Sequence, residues 1–362
     1  MNKLSARIAL LVLCSMFAVA REVAAEPDGA VHSTCVDLTL PVTLAEDRIE
    51  VFRVVGTLCW SGALGDQTVQ VLVHGTTATR IFWDLPMRGE LYSYVRRATQ
   101  AGFATFNVER IGIGASDHPP AADVTITSNA FVIHQIVQAL RDGTLVGVHF
   151  ERVLGVGHSL GSRILTRMQA QFPDDLDGLI LTGTLHDDGP ELAGILRAFA
   201  IPASLDPRFA VQNLPPGYFT LRDGLQLSFL VNPDRADPEI VNFHESLKET
   251  TTTGELGEPR INGDSRLLDV PVLLLVGERD RVLCGNRVDC SSLDSILALE
   301  RDFYGPETCL QVEILRESGH LFTLQRSPQG SYSTMLQWAR RFIGVDSRRG
   351  PETRCPSGSA EQ

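Results

Sequence analysis

The apolar positions of this chain follow two rhythms. "VDLTLPVTL" (36–44) and "IEVFRVVGTLCW" (49–60) alternate apolar with polar residues, and "AEDR" lies between them. That pattern predicts an antiparallel hairpin of half-buried strands. Short, nearly continuous apolar runs follow at 68–75, 103–108, 152–157, 176–183, 270–277 and 310–315, as expected of strands covered on both faces. Between them lie stretches with helical spacing at 90–102, 128–143, 159–172, 291–303 and 331–343, the first two closed by glycine. A hairpin followed by alternating strands and helices predicts an α/β fold: a mainly parallel central sheet with helices on both faces. The rhythm breaks at 186–266, a segment rich in Pro, Asp and Gly with helical fragments "PELAGILRAFA" and "PEIVNFHESLKET". Such a length is too great for a plain loop. It predicts a helical cap over the carboxyl edge of the sheet, where open α/β sheets bind their ligands. The core is then split into 26–185 and 267–346, with a polar tail at 347–362.

The first 25 residues do not fit this rhythm. Lys3 and Arg7 precede the apolar run Ile8 to Ala20, and the small-residue sites Ala18-Val19-Ala20 and Val23-Ala24-Ala25 follow. This is the pattern of a secretory signal peptide cleaved after Ala20 or Ala25, giving a secreted or periplasmic protein. The run is short for a spanning helix, so no membrane-spanning segment is expected in the mature form. Formal charge over the 362 residues is −12, and loss of Lys3 and Arg7 makes it −14. Such acidity excludes a nucleic-acid partner. Six of the seven cysteines lie beyond the leader, and an even number in an oxidising compartment suggests disulfides. Folding the hairpin at 45–48 sets Cys35 nearly opposite Cys59, within bonding reach. Cys284 and Cys290 share one loop, which leaves Cys309 with Cys355. No spacing of Cys and His suggests a metal, and nothing implies an organic cofactor.

The candidate chemistry centres on "GHSLG" (157–161), between strand 152–157 and helix 159–172. A G-x-S-x-G turn between a strand and a helix is the context of a nucleophile elbow, with Ser159 raised above the sheet edge. A serine needs a base. His320, in "ESGHLF" five residues beyond strand 310–315, is the expected one. The base needs a carboxylate to hold its tautomer. Asp280, four residues past strand 271–276 in "GERD", is the expected acid, with Asp187 and Asp188 as the fallback. The order Ser159, Asp280, His320 is the order of this architecture. For the oxyanion the expected donors are the N–H groups of Leu160 and of Thr76, in the loop His74-Gly75-Thr76-Thr77.

With "HGTT", "GHSLG", "GERD" and "SGH" in order over about residues 50–345, the sequence resembles the α/β-hydrolase superfamily. It is similar to a capped branch of secreted bacterial hydrolases with a cysteine-bearing N-terminal hairpin and "ERIGIGASD" after the fourth strand. The resemblance implies a serine hydrolase working through an acyl-enzyme, and a structural role for loop 109–117. The expected substrate is a small-molecule ester, small to medium and hydrophobic. Thioester, lactone or amide hydrolysis on the same triad is the alternative, and a catalytically retired binding protein is another. Phe82, Trp83 and Thr77 are the positions expected to touch substrate, while aromatics such as Phe131 and Phe199 serve equally well as core.

Overall fold

The computed structural model describes residues 33–259, 263–305, 308–348 and 350–352. The predicted leader and Cys355 lie outside the described residues. Strands β1 (Ser33–Val42) and β2 (Phe52–Ser61) form the hairpin. They are followed by β3 (Val69–Val73), α1 (Tyr94–Gln100), β4 (Ala104–Glu109), α2 (Ile126–Arg141), β5 (Val153–His158), α3 (Leu160–Gln171) and β6 (Gly178–Thr182). After the interruption come β10 (Val272–Gly277), α7 (Leu293–Glu300), β11 (Leu310–Leu315) and α8 (Gln329–Phe342). The eight strands form one sheet in the order β1-β2-β4-β3-β5-β6-β10-β11. The pairings β1–β2 and β2–β4 are antiparallel and the rest parallel.

Both faces of the sheet are covered. Val71 of β3 and Leu274 of β10 join one buried cluster, whereas their neighbours Leu72 and Leu273 join the other. This alternation is why the strands read as unbroken apolar runs. The chain runs outward from β3 to β4, then crosses back to β5 on the other side of β3. The carboxyl ends of β3 and β5 therefore sit side by side at a topological switch point, where such sheets open a crevice.

The interruption at 186–266 is not purely helical, contrary to the sequence expectation. It holds α4 (Leu192–Phe199), α5 (Pro238–Ser246) and α6 (Thr253–Gly257), but also an antiparallel sheet of β7 (Ala200–Pro202), β8 (Tyr218–Leu221) and β9 (Thr251–Thr252). In "YFTL" every second side chain is buried, the period-2 pattern of a strand, but four residues are too few to stand out between Gly217 and the following turn. The segment rests on the core through many bonds, among them the Tyr218 hydroxyl to Pro119 O at 2.8 Å. Glu249 N–H donates to Thr77 O (2.9 Å), Leu321 N–H donates to Leu230 O (2.9 Å), and the Thr250 hydroxyl donates to Gly112 O (3.3 Å). No helix among the described residues is long and apolar enough to cross a membrane.

The hairpin register pairs Cys35 with Cys59 directly, and the two are disulfide-bonded. Cys284 and Cys290 are bonded as well. Cys309 is also disulfide-bonded. Because the Cys35–Cys59 link closes a loop of sequence separation 24, its removal restores chain entropy to the unfolded state. The Cys35→Ser/Cys59→Ser double variant should lose about 3 kcal/mol, read from urea unfolding. An unchanged midpoint would show that the sheet edge holds without the link.

Candidate active site

Ser159 stands at the turn from β5 into α3 with φ 53 and ψ −116, a region that residues with a Cβ rarely occupy. Neighbouring backbone makes the turn this tight. A Cβ on Gly157 would lie 2.6 Å from Ser162 N, and one on Gly161 would drive into Val73 O. Both glycines of the motif are therefore required by space. The adjacent strand β6 staples the turn. Thr182 O accepts from Ser159 N–H (2.8 Å) and from the Ser162 hydroxyl (3.0 Å), and the Thr182 hydroxyl donates to Gly157 O (2.9 Å).

Asp280 is wholly buried beyond β10. Its Oδ2 lies 2.8 Å from His320 Nδ1, and its Oδ1 accepts from Val282 N–H at 2.9 Å. The Cys284–Cys290 disulfide and the Cys284 N–H to Asp280 O bond (2.8 Å) brace this loop. His320 is held from behind, since a Cβ on Gly319 would meet Val231 and Asn232, and one on Gly277 would lie 2.6 Å from Gly319 O. The fallback acids are engaged elsewhere, Asp187 with Arg287 and Asp188 with Arg163, each at 2.7 Å. No hydrogen bond joins Ser159 Oγ to His320 in this structure. Such bonds are often long before substrate is bound and tighten in the complex.

The loop after β3 lies against the serine, since a Cβ on Gly75 would stand 3.1 Å from Ser159 Cβ. The Gly75 carbonyl points inward, accepting from His74 Nδ1–H (3.0 Å) and Arg110 Nη2 (3.3 Å). In a trans peptide the next N–H points the opposite way. Pinning Gly75 O thus turns Thr76 N–H outward. Neither Thr76 N–H nor Leu160 N–H makes a hydrogen bond among the described residues. Thr77 continues the turn at φ 52 and is buried. Phe82 and Trp83 are fully buried. Phe82 stacks on His158 at 4.3 Å, and His158 in turn lies 4.9 Å from the His320 ring. Trp83 packs edge-on against Phe82 at 4.9 Å and against Phe322 at 6.3 Å.

Several residues here were given no role by the sequence. Arg110 is completely buried, pairs with Glu255 of α6, and bonds Asn129 Oδ1 at 3.3 Å. His74, His158 and His244 are buried and neutral. Burial pushes all three below the ordinary histidine range, His244 to about 4, and the Arg110 charge lowers His74 further. The one usable signal for Arg110 was its place directly after a buried strand.

Glu109, at the end of β4, sits 3.5 Å from Arg80 Nε and 3.7 Å from His74 Nε2. Burial pushes its carboxyl up to about 7 from an ordinary 4.5, against the opposing pull of Arg80. The folded state therefore binds this proton more tightly than the unfolded chain does. The stability this confers is complete below about pH 4.5 and lost as pH rises through about 7. Glu109→Gln removes the titration. Its urea midpoint, measured against wild type, should gain between about pH 5 and about pH 8. Parallel pH profiles would refute the raised pKa.

Comparison with known proteins agrees with this architecture. The sequence profile described as the alpha/beta hydrolase family matches residues 70–330. No curated protein matches the sequence. Among solved structures, the chain is similar to a thermophilic esterase from Thermogutta terrifontis, at 17% identity and TM-score 0.56, over 84% of this chain and 98% of that one. It is similar to a carboxylesterase from Bacillus subtilis, at 16% identity and TM-score 0.55, over 83% and 90% of the two chains. A monoacylglycerol lipase from Paleococcus ferrophilus superposes at TM-score 0.52 with 16% identity, over 79% and 97%. With a matching profile across most of its length and this sheet, the chain belongs to the alpha/beta hydrolase family.

Proposed function

We propose that this hydrolase is an exported serine esterase that cleaves small to medium hydrophobic carboxylic esters through Ser159, His320 and Asp280. The observation that carries the reading is the buried Asp280 bonded to His320 Nδ1. A carboxylate there fixes the Nδ1–H tautomer and leaves Nε2 as the base. His320 Nε2 takes the Ser159 proton as Oγ bonds to the ester carbonyl carbon. Leu160 and Thr76 N–H donate to the oxyanion, with Arg110 and His74 as positioning residues for Thr76. The His320 proton then passes to the departing alcohol, and water repeats the sequence on the acyl-enzyme. Losing one oxyanion donor typically costs about 3 kcal/mol of barrier. The esterase and lipase neighbours support ester over other acyl bonds, and the disulfides fit an oxidising compartment.

The test is turnover of p-nitrophenyl esters of increasing chain length, set beside thioester, lactone and amide substrates. Ser159→Ala should lower ester kcat by at least about 1000-fold, and Asp280→Asn by about as much with an unchanged fold. A Ser159→Ala variant that keeps wild-type turnover would overturn the nucleophile. Faster turnover of the amide or thioester than of every ester would overturn the substrate class.

A further inference from the structure

One cavity among the described residues is lined by neither Ser159 nor His320. It measures about 60 Å³ and lies beside α3, between that helix and the two segments where the chain leaves and re-enters the core. One water needs roughly 10–15 Å³ of such space, so this cavity has room for a short acyl group. Its wall carries Ser265, His186 and Glu300.

These three form a hydrogen-bonded line. The Ser265 hydroxyl lies 2.9 Å from His186 Nε2, and His186 Nδ1 lies 2.7 Å from Glu300 Oε2. Glu300 is wholly buried, and its other oxygen accepts from His186 N–H at 2.7 Å. A carboxylate accepts only, so Nδ1 carries a proton, and in the neutral ring Nε2 accepts from Ser265, whose hydroxyl is also hydrogen-bonded to Tyr304. The ring is locked by Phe303, stacked at 4.1 Å and 5°. Nucleophile, base and orienting acid thus meet the distances expected of an activated serine. Here the serine–histidine bond is already made, as it is not at Ser159. Positive charge is at hand for an oxyanion. Arg163 and Arg167 line the same cavity. Among the described residues, Arg163 binds Asp188 through Nη2, and Arg167 binds its partners through Nε and Nη1.

We propose that Ser265 is a second serine nucleophile of this protein, activated by His186 and Glu300, and that it reacts with short acyl donors independently of Ser159. In the step, Ser265 Oγ bonds to the ester carbonyl carbon and its proton moves to His186 Nε2. The carbon–alkoxide bond then breaks, and the leaving alkoxide takes that proton. Water then attacks the acyl carbon, giving a proton to His186 Nε2; the carbon–Oγ bond breaks, Ser265 recovers that proton, and the carboxylic acid leaves.

The probe is methanesulfonyl fluoride, small enough for the cavity. Attack forms the serine O–S bond, breaks S–F, releases fluoride and leaves the proton on the histidine. Full-length Ser159→Ala protein is treated with it and digested with trypsin. The peptide 261–266, in which Ser265 is the single serine, should gain one methanesulfonyl group. Adding Glu300→Gln or His186→Gln should slow this at least about tenfold, and adding Ser265→Ala should abolish it. An unmodified 261–266 peptide from folded Ser159→Ala protein overturns the proposal and leaves the three residues as a structural tie between the ends of the 186–266 segment. Peptide 153–163 of the wild type reports Ser159 separately, so the two nucleophile assignments stand or fall on different peptides.

Discussion

The backbone of Ser159 is the constraint on which the rest is arranged. A side-chain-bearing residue held at positive φ costs about 1–3 kcal/mol and persists only when its surroundings over-determine it. Here they do. β6 accepts from Ser159 N–H and the Ser162 hydroxyl through one carbonyl, Thr182 O, while Gly161 lets α3 start against the end of β3. The turn therefore depends on the sheet register that pairs His158 with Thr182 and Val73 with Gly157. In return it brings the serine Oγ, the first N–H groups of α3 and the loop after β3 to one crevice.

Around that crevice the protein keeps unusual polar groups dry. Arg110 and Glu255 form a buried ion pair, and such a pair is a poor source of stability unless its remaining valences are filled. On the carboxylate they are filled: Glu255 Oε1 also accepts from Asn129 at 3.2 Å, and Oε2 accepts from the Thr251 hydroxyl at 2.8 Å, whereas Arg110 Nε is buried without a partner among the described residues. The pair joins α6 to the Gly75 carbonyl, so the inserted segment and the loop after β3 are held by one network. Helix α3 plays a similar part on its other side. Arg163 and Arg167 bind Asp188 and Asp264, near the two ends of the inserted segment.

Legibility in the sequence tracked the range of the interaction. The hairpin and its disulfide were legible because an antiparallel register follows from the turn, which sets Cys35 across from Cys59. The strands and the elbow were legible because burial on both faces leaves an apolar run and a tight turn demands glycine at two fixed positions. Asp280 was legible only as one of three candidate carboxylates, by its distance past a strand. The small sheet at 200–252 was not legible, because its strands are two to four residues long and pair across intervals of about 15 to 30 residues. Arg110 was not legible because a charged residue reads as surface until its partner is known, and Glu255 lies 145 residues away.

Composition, periodicity and spacing were enough to specify the layered sheet and the tight glycine turn that carries Ser159, since each follows from local backbone geometry and from which faces must be dry. They could not specify what surrounds the chemistry. Whether Gly75 O points inward, which carboxylate reaches His320, and that Ser265, His186 and Glu300 meet beside α3 are all outcomes of packing between segments far apart in the chain. Such contacts have no sequence period, because they are set by the fold's closure in three dimensions.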